Sequence, residues 1–344
     1  MALSFVAVAC GSDETSSDTT AAPAEETTAP EETTAPEETT APADTTAPTD
    51  TMAMGDCAEL TPVKLQLQWV TQAQFAGYYA AVEEGFYEAM CLDVTILEGA
   101  VDITPQTVLA NGDADFAISW VPKALASREA GADIVDIAQV FQRSGTLQVS
   151  FKDAGITTPA DFAGKTVGNW GFGNEFEVFA AMSKAGIDPA TVENVAQQFD
   201  MVGLLEGDID AAEAMTDSEY AQVLEAINPD TGELYTPEDF SVISYEDEGV
   251  GMLQDAIWAD GTRLSDEAYN ATAISFVAAS LQGWAYCRDN VEACATLVTE
   301  QGSALGLTHQ TWQMNEINKL IWPAEGGVGY IDSAAWERTA TLSQ

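Results

Sequence analysis

The chain has 344 residues, of which 56 are acidic and 11 are basic, and its formal net charge at pH 7 is −45. An acidic excess of this size repels polyanions, so we expect no nucleic-acid partner and attribute most of the charge to a solvated acidic surface. No run of 18 apolar residues occurs in the sequence, and we therefore expect no membrane-spanning helix.

Residues 1–10 contain the short apolar run LSFVAVA followed by Cys10. This order is found at lipoprotein processing sites, so we expect Cys10 to become the lipidated first residue of the mature protein. Several acyl chains on one residue would hold the protein stably at a membrane. No basic residue precedes the run, and we expect the natural chain to start upstream. The alternative is an ordinary disordered N-terminus that contains a cysteine by chance.

Residues 11–56 consist almost wholly of Ser, Thr, Ala, Pro, Asp and Glu, and the hexapeptide EETTAP occurs at 25–30 and again at 31–36. Such a composition buries too little apolar surface to offset the entropy of the chain, so we predict a disordered tether.

The chain from residue 57 to 141 alternates between period-2 and helical patterns. KLQLQW at 64–69, for example, places Leu65, Leu67 and Trp69 on one face of a strand. The strands predicted here are 64–69, 92–97, 115–119 and 133–141, and the helices are 75–90, 104–111 and 121–130. This alternation is typical of α/β layers around a mostly parallel sheet.

A second α/β series follows from about residue 152. Its predicted strands are 166–170, 192–199, 208–215 and 241–245, and its helical segments are 175–186, 201–206 and 217–227. The last part is helical, at 264–287, 290–301, 309–319 and 333–342. We predict two lobes, with residues 57–150 plus 250–344 forming the first and residues 151–249 inserted as the second. A different two-domain α/β enzyme is the alternative.

Four cysteines follow the tether, an even number that can pair. Cys57 and Cys91 each precede a predicted strand, and neighbouring strand starts would bring them together. Cys287 and Cys294 would lie about 10 Å apart along one continuous helix, too far for a bond, unless the intervening RDN ends one helix and begins another. Free buried cysteines are the alternative. With His309 as the single histidine and no CxxC, we expect no metal site and no cofactor.

Five stretches of the sequence, in the same order along the chain, resemble the solute-binding proteins related to thiamine pyrimidine synthase and the alkanesulfonate, taurine and nitrate binders. They are QWVTQAQFAGYYAAVEEGFYEAMCLDVTI (68–96), LANGDADFAISW (109–120), IAQVFQRSG (137–145), DAGITTPADFAGKTVGNW with GFGNEFE (153–177), and YEDEGVGMLQDAIWA (245–259). The resemblance implies an α/β, two-lobed type 2 periplasmic-binding-protein fold with the ligand in the cleft between lobes. It also implies a monomer that works outside the cytoplasmic membrane with an ABC permease and its ATPase.

In such folds, ligands bind beyond the carboxyl ends of the strands, and several aromatic and polar residues stand at or just past predicted strand ends. The candidate ligand-binding residues are Trp69, Gln74, Phe75, Tyr78, Ser119, Trp120, Gln142, Arg143, Trp170, Gly173, Asn174, Glu175 and Glu219. Flat rings would clamp a flat ligand, and amides would bond its edge. The glycine turn before the helix at 175–186 would present backbone N–H groups.

Each candidate has a structural alternative. Trp69 and Trp170 would also suit the core of their strands, and Arg143 would also suit a surface pair. In AMTDSEY (214–220), Asp217 and Ser218 replace the first two residues of the Tyr-Asn-Glu found in many relatives, so Glu219 is the better candidate there.

The richness in aromatic residues favours a small flat heterocycle, riboflavin or a pyrimidine precursor of thiamine. The alternative is a sulfonate, taurine or nitrate anion, which depends on Arg143 and the glycine turn. The synthase itself is expected to need a cysteine-rich iron motif, a suitably placed histidine and a Schiff-base lysine, so we expect no enzyme. The extracytoplasmic receptor of a sensor would use the same fold.

Overall fold

Two five-stranded sheets organise the computed structural model, which describes residues 57–100 and 102–344. The predicted lipidation site Cys10 and the tether lie outside the described residues. The strands in chain order are β1 (Thr61–Gln66), β2 (Leu92–Leu97), β3 (Phe116–Trp120), β4 (Ile134–Gln139), β5 (Thr146–Phe151), β6 (Thr166–Asn169), β7 (Glu193–Ala196), β8 (Ala211–Met215), β9 (Phe240–Ser244) and β10 (Asp255–Asp260).

The helices pack against these sheets and form most of the C-terminal part. In chain order they are α1 (Ala76–Glu83), α2 (Phe86–Ala89), α3 (Pro105–Ala110), α4 (Val121–Glu129), α5 (Phe176–Ala185), α6 (Val202–Leu205), α7 (Glu219–Glu225), α8 (Glu267–Asp289), α9 (Val291–Glu300), α10 (Leu307–Ile321) and α11 (Ser333–Leu342). Within the part of the chain that the structure describes, none of them is long and apolar enough to cross a membrane.

Each sheet is parallel except for one inner strand. The first sheet has the order β2-β1-β3-β10-β4, with β10 antiparallel to both of its neighbours. The second has the order β7-β6-β8-β5-β9, with β5 antiparallel to both of its neighbours. The two-lobed α/β fold that the sequence predicts is confirmed, but these two strands were not predicted.

The reversed strands are those that carry the chain from one sheet to the other. β5 begins at Thr146, opposite Met215 at the end of β8, and β10 begins at Asp255, opposite Trp120 at the end of β3. Both therefore enter their sheets from the edge where the other strands end, and must run in the opposite direction. The lobe boundary expected at 150/151 falls inside β5, whose residues all pair with strands of the second sheet.

The two crossing segments are fastened to each other by one amide. The side chain of Gln254 accepts a hydrogen bond from the backbone N–H of Gly145 at 2.9 Å and donates one to the hydroxyl of Thr146 at 2.7 Å. Because Gln254 is buried, both bonds are shielded from water, and the segments keep a fixed spacing.

Two glycines allow the helices beside the first sheet to approach closely. A Cβ atom on Gly283 of α8 would lie 2.0 Å from the carbonyl oxygen of Gly77 in α1, and one on Gly77 would meet the ring of Trp284. The buried core here is rich in aromatic side chains, including Phe116 and Phe276, whose rings stack at 4.4 Å.

Both expected disulfides are confirmed, Cys57–Cys91 and Cys287–Cys294, each with Cα atoms 5.5 Å apart. The second pair is possible because α8 ends at Asp289 and α9 begins at Val291, so Asn290 breaks the continuous helix that would keep the cysteines apart.

Candidate functional site

A cavity of about 430 Å³ lies where the strands of both sheets end. The loop after β1, the start of α3 and the start of α4 line it from the first sheet, and the loops after β6, β7 and β8 line it from the second. This is the position at which open α/β sheets hold ligands. Eight of the predicted site residues line this cavity: Trp69, Gln74, Trp120, Trp170, Gly173, Asn174, Glu175 and Glu219.

Three aromatic rings from both sheets form one group in the cavity. The ring centroids of Trp69 and Phe199 are 4.3 Å apart, and those of Trp170 and Phe199 are 6.2 Å apart, with the latter two rings only 5° from parallel. Trp170 is also packed into the core, and its indole Nε1 has no hydrogen-bond partner among the described residues. The group offers flat apolar faces to the cavity.

A buried carboxylate behind the cavity wall gathers three of the polar side chains that line it. Asp255 accepts hydrogen bonds from Nε2 of Gln68 at 2.5 Å, Nε1 of Trp120 at 2.8 Å and Nε2 of Gln74 at 3.1 Å. Burial raises the pKa of Asp255 to about 7, although the bonds from Gln74 and Trp120 act in the opposite direction.

The second sheet adds acidic side chains. Asp217 and Glu219 line the cavity and are buried. One carboxylate oxygen of Asp217 accepts a bond from Nε2 of Gln313 at 3.1 Å, and Glu219 accepts one from the backbone N–H of Met215 at 3.0 Å. Burial raises the pKa of each acid to about 7.

Lys123 is the one basic residue among the described residues that line the cavity. Its ammonium group donates a hydrogen bond to Oδ1 of Asn174 at 3.3 Å and lies 5.9 Å from the centroid of the Trp120 ring. Burial lowers the pKa of Lys123, while the carboxylates of Asp255, Glu175 and Glu213 act in the opposite direction. Acidic side chains therefore outnumber the single basic one among the described residues that line the cavity.

The glycine turn at the cavity mouth is held by its own side chains. Gly171, Phe172 and Gly173 all have positive φ angles, and the ring of Phe172 is 80% exposed. The N–H of Gly171 donates to Oδ1 of Asn169 at 3.0 Å, and the N–H of Gly173 donates to Glu175 at 2.8 Å. Two of the backbone donors expected to face a ligand, those of Gly171 and Gly173, are thus already paired.

Three of the predicted site residues lie in the core rather than in the cavity. Phe75 ends the short 3-10 turn Ala73–Phe75, which directs its ring inwards. The ring of Tyr78 on α1 packs edge-on against Trp284. Ser119 lies behind Gln106, whose amide donates to the serine hydroxyl at 2.7 Å and itself lines the cavity.

Gln142 and Arg143 also lie away from the cavity. Gln142 donates a bond to the carbonyl of Gln139 at 2.7 Å. Arg143 donates to the carbonyls of Lys319, Trp322 and Pro323, where it binds the end of α10. Both predictions of position were wrong because the chain after β4 turns towards α10 and the second sheet instead of ending in a cavity loop.

Several cavity residues were not predicted. They are Gln68, Gln72, Gln106, Lys123, Phe172, Phe199, Met215, Asp217 and Ser218, among others. A signal existed for Gln68 and Gln72, which flank Trp69 in the motif QWVTQ. Lys123 follows the end of the predicted strand 115–119 by four residues and is one of 11 basic residues. Phe199 ends the predicted strand 192–199 and so carried the same signal, but its contact with Trp69 depends on how the two sheets face each other.

Comparison with known proteins gives a consistent result. The family model described as NMT1/THI5 like matches residues 72–293. A formylaminopyrimidine-binding protein of Halalkalibacterium halodurans is 25% identical over 292 residues, which cover 82% of this chain and 84% of that protein.

The solved structures add a likeness of fold. The periplasmic aliphatic sulphonate binding protein SsuA of Escherichia coli superposes with a TM-score of 0.61 at 14% identity, covering 82% of this chain and 85% of the other. The alkanesulfonate-binding protein SsuA of Xanthomonas axonopodis pv. citri, bound to MOPS, gives 0.59 at 14% identity, covering 83% and 92%.

Proposed function

The chain belongs to the NMT1/THI5-like family, and from this premise we propose that it is the solute-binding component of an ABC importer. It takes up a small flat heterocycle of the aminopyrimidine kind by closing its two lobes around the cavity. Its partners are then a permease and an ATPase, and it works as a monomer.

The observation that carries this proposal is the group of rings formed by Trp69, Phe199 and Trp170. These residues come from loops of both sheets, so a planar ligand beside them would contact both lobes at once. Aromatic pairs contribute about 0.5–1.5 kcal/mol beyond the burial of their area. A ligand that stacks on these rings would therefore favour the closed arrangement of the lobes.

The charge of the site supports a neutral or cationic ligand over an anion. Asp217, Glu219 and Glu175 line the cavity against Lys123 alone. Arg143, on which the anion alternative depended, binds carbonyl groups at the end of α10. The N–H groups of Gly171 and Gly173 are paired as well, so neither of these two glycines offers a free donor to a sulfonate or nitrate.

The choice of an aminopyrimidine follows from the relative that is named for binding a formylaminopyrimidine. A cavity of about 430 Å³ falls within the usual range for small-molecule sites. Riboflavin, the other heterocycle considered, has a larger ring system whose oxo groups would meet the carboxylates and amide oxygens of this cavity.

We propose no catalytic role. The single histidine, His309, is buried on α10, with its Nδ1 atom 3.0 Å from a carboxylate oxygen of Glu225, and is not among the residues that line the cavity. The cysteines that follow the tether are joined in disulfides. The histidine and the cysteines that the synthase chemistry is expected to need are therefore not at this site.

We place the protein outside the cytoplasmic membrane, anchored through a lipid on Cys10 with residues 11–56 as the tether. The two disulfides support an oxidising compartment. Residues 57–150 plus 250–344 form the first lobe and residues 151–249 the second in this proposal, and the first boundary falls inside β5, which pairs only with strands of the second sheet.

The test is a titration that follows thermal shift and tryptophan fluorescence with four ligands: a formylaminopyrimidine, riboflavin, taurine and nitrate. Saturable binding of the aminopyrimidine with a rise in Tm is expected. Binding of riboflavin alone would agree with the proposed transport role but would identify riboflavin, rather than an aminopyrimidine, as the ligand. Binding of taurine or nitrate alone would contradict the proposed site.

A further inference from the structure

Helix α10 makes contact with the chain on both sides of the cavity. It packs in the core of the first sheet, where Ile317 and Leu320 join a cluster that also contains Leu65 of β1. Residues 309–313 of the same helix reach the segment 216–225, which follows β8 of the second sheet. One regular element therefore joins parts of the chain that belong to different sheets.

Three side chains of α10 make the contacts with the second sheet's segment, and their spacing of three and four residues places them on one face of the helix. The contacts are Nδ1 of His309 to a carboxylate oxygen of Glu225 at 3.0 Å, Nε1 of Trp312 to the carbonyl oxygen of Thr216 at 3.1 Å, and Nε2 of Gln313 to Oδ2 of Asp217 at 3.1 Å. Of the three, only the contact between Gln313 and Asp217 has both partners buried. It is therefore the one best shielded from competition by water.

Gln313 also bonds to the first-sheet side of the cavity. Its Oε1 accepts a hydrogen bond from the backbone N–H of Ala73 at 2.9 Å, and the neighbours of Ala73, Gln72 and Gln74, line the cavity. Asp217 lines it from the other side. A backbone N–H only donates and an ionised carboxylate only accepts, so an amide can satisfy both partners at once. Gln313, itself fully buried, thus ties together two segments of the cavity lining, one from each sheet.

Gln310, one turn earlier on α10, makes half of this connection. It is equally buried, and its Oε1 accepts a hydrogen bond from the same N–H of Ala73 at 2.6 Å. Its Nε2, however, has no hydrogen-bond partner among the described residues. The N–H of Ala73 is shared by two acceptors and keeps one of them if either glutamine is replaced. The two glutamines therefore differ in the bond to Asp217, which is the link between the sheets.

We propose that Gln313 is a positioning residue for ligand binding, because it holds the loop after β8 against the 3-10 turn after β1. Both sides of the cavity then keep the spacing that a bound ligand bridges. Separation of the lobes would break this buried bond, so the bond slows the opening that releases the ligand. The inference rests on the proposed uptake of a small heterocycle and adds a residue that keeps the site assembled.

The test compares Gln313→Met with Gln310→Met in the full chain. Methionine is about as long as glutamine, but it cannot donate a hydrogen bond and its sulfur is only a weak acceptor. Stopped-flow tryptophan fluorescence with a formylaminopyrimidine would give the association and dissociation rate constants. We expect Gln313→Met to release the ligand at least about tenfold faster with little change in the association rate constant, because a buried bond to a charged group is lost.

Gln310→Met is the matched control and should release the ligand at nearly the rate of the unmodified protein. It removes a buried amide from the same helix and an acceptor from the same N–H, so a general loss of stability would affect both variants alike. If Gln313→Met does not fold, Gln313→Asn tests the same point, because the shorter amide cannot reach Ala73 and Asp217 together. It should also release the ligand faster.

Small-angle X-ray scattering of the two methionine variants without ligand gives a second readout. Gln313→Met should have the larger radius of gyration, because the link between the sheets is lost. Equal release rates in the two variants would overturn the role of Gln313 while the uptake of pyrimidines stands. If the unmodified protein binds no pyrimidine, the proposed ligand class fails, and equal radii of gyration would then overturn the role of Gln313 as well.

Discussion

The rings of Trp69 and Phe199 lie 4.3 Å apart between centroids, although Trp69 follows β1 of the first sheet and Phe199 follows β7 of the second. The contact therefore joins the two lobes directly across the cavity. No other ring in this group links the lobes at so short a distance, since Trp170 and Phe199 follow strands of the same sheet.

Replacing Phe199 with alanine should weaken binding of the aminopyrimidine by about tenfold or more, because the ligand loses an apolar ring and the lobes lose their mutual contact. Isothermal titration would measure the dissociation constant. Phe179→Ala is the control, since Phe179 lies on the surface of α5 and does not line the cavity. Similar losses in both variants would show that Phe199 has no special role.

The glycine turn allows a matched comparison of two alanine substitutions. Gly171 and Gly173 both have positive φ angles, so alanine costs about 1 kcal/mol of backbone strain at either position. Only at Gly173 would the new Cβ lie within 2.9 Å of a Lys123 side-chain carbon, whereas nothing lies within 4 Å at Gly171. We expect Gly173→Ala to reduce ligand affinity more than Gly171→Ala at similar loss of Tm. Equal ligand affinities of the two variants would show that Lys123 does not contribute to ligand binding.

Buried carboxyl groups should make the protein more stable in mild acid than in mild alkali. Burial raises the pKa of Glu177 to about 7, as it does for Asp217, Glu219 and Asp255. The folded chain thus holds more protons than the unfolded chain between about pH 4 and pH 7, so the free energy of unfolding falls as the pH rises through this window. Tm should be at least about 5 °C higher at pH 5 than at pH 8.

Glu177→Gln provides the internal control for this pH dependence. Glu177 accepts a bond from the backbone N–H of Met252 and does not line the cavity. The glutamine keeps that acceptor but cannot titrate, so the difference in Tm between pH 5 and pH 8 should shrink. A Tm of the unmodified protein that is higher at pH 8 than at pH 5 would contradict the raised pKa values of these buried carboxyl groups.

The disulfide Cys57–Cys91 should contribute measurably to stability. It closes a segment with a sequence separation of 34, for which the chain-entropy model gives about 3.8 kcal/mol. Replacing both cysteines with alanine should lower the free energy of unfolding in urea by about 3–4 kcal/mol. Reduction of the unmodified protein should lower it at least as much, because it also opens Cys287–Cys294. No change on reduction would mean that the cysteines are not paired in solution.

Anchoring through Cys10 is tested by Cys10→Ser in the producing cell. The serine cannot carry the thioether-linked lipid, so the protein should move from the membrane fraction to the soluble fraction. Ligand affinity should not change, since the substitution lies in residues 1–10 rather than in residues that line the cavity. If the variant stays in the membrane fraction, anchoring through Cys10 is contradicted and another part of the protein holds it at the membrane.

The fold was predictable to the extent that local pattern determines it. Period-2 runs located the strands whose ends reach the cavity, and the RDN sequence indicated the break that lets Cys287 meet Cys294. Strand β5, TLQVSF, alternates as clearly as the others but was not assigned. Strand β10, DAIWAD, is buried nearly throughout, and its four consecutive apolar residues do not alternate with polar ones.

The site was predictable only where residues follow a strand that ends at the cavity. Trp69, Trp120 and Trp170 satisfy that condition. Gln142 and Arg143 follow β4 just as closely, but the chain there crosses to the other lobe, which no local pattern reveals. The roles of Phe199 and Asp255 depend on contacts between distant parts of the chain, and only the assembled sheets bring those parts together.

The reversed strands β5 and β10 also determine how the protein bears mechanical load. Each is continuous with a segment that links the lobes, and each has a hydrogen-bonded partner on both sides. A force that separates the lobes therefore pulls these strands along their own axes, at right angles to the bonds that hold them. All the bonds of a strand share that load at once, whereas an edge strand peeled sideways would lose them one by one. The lobe closure proposed above would thus load the sheets in shear rather than unzip them from an edge.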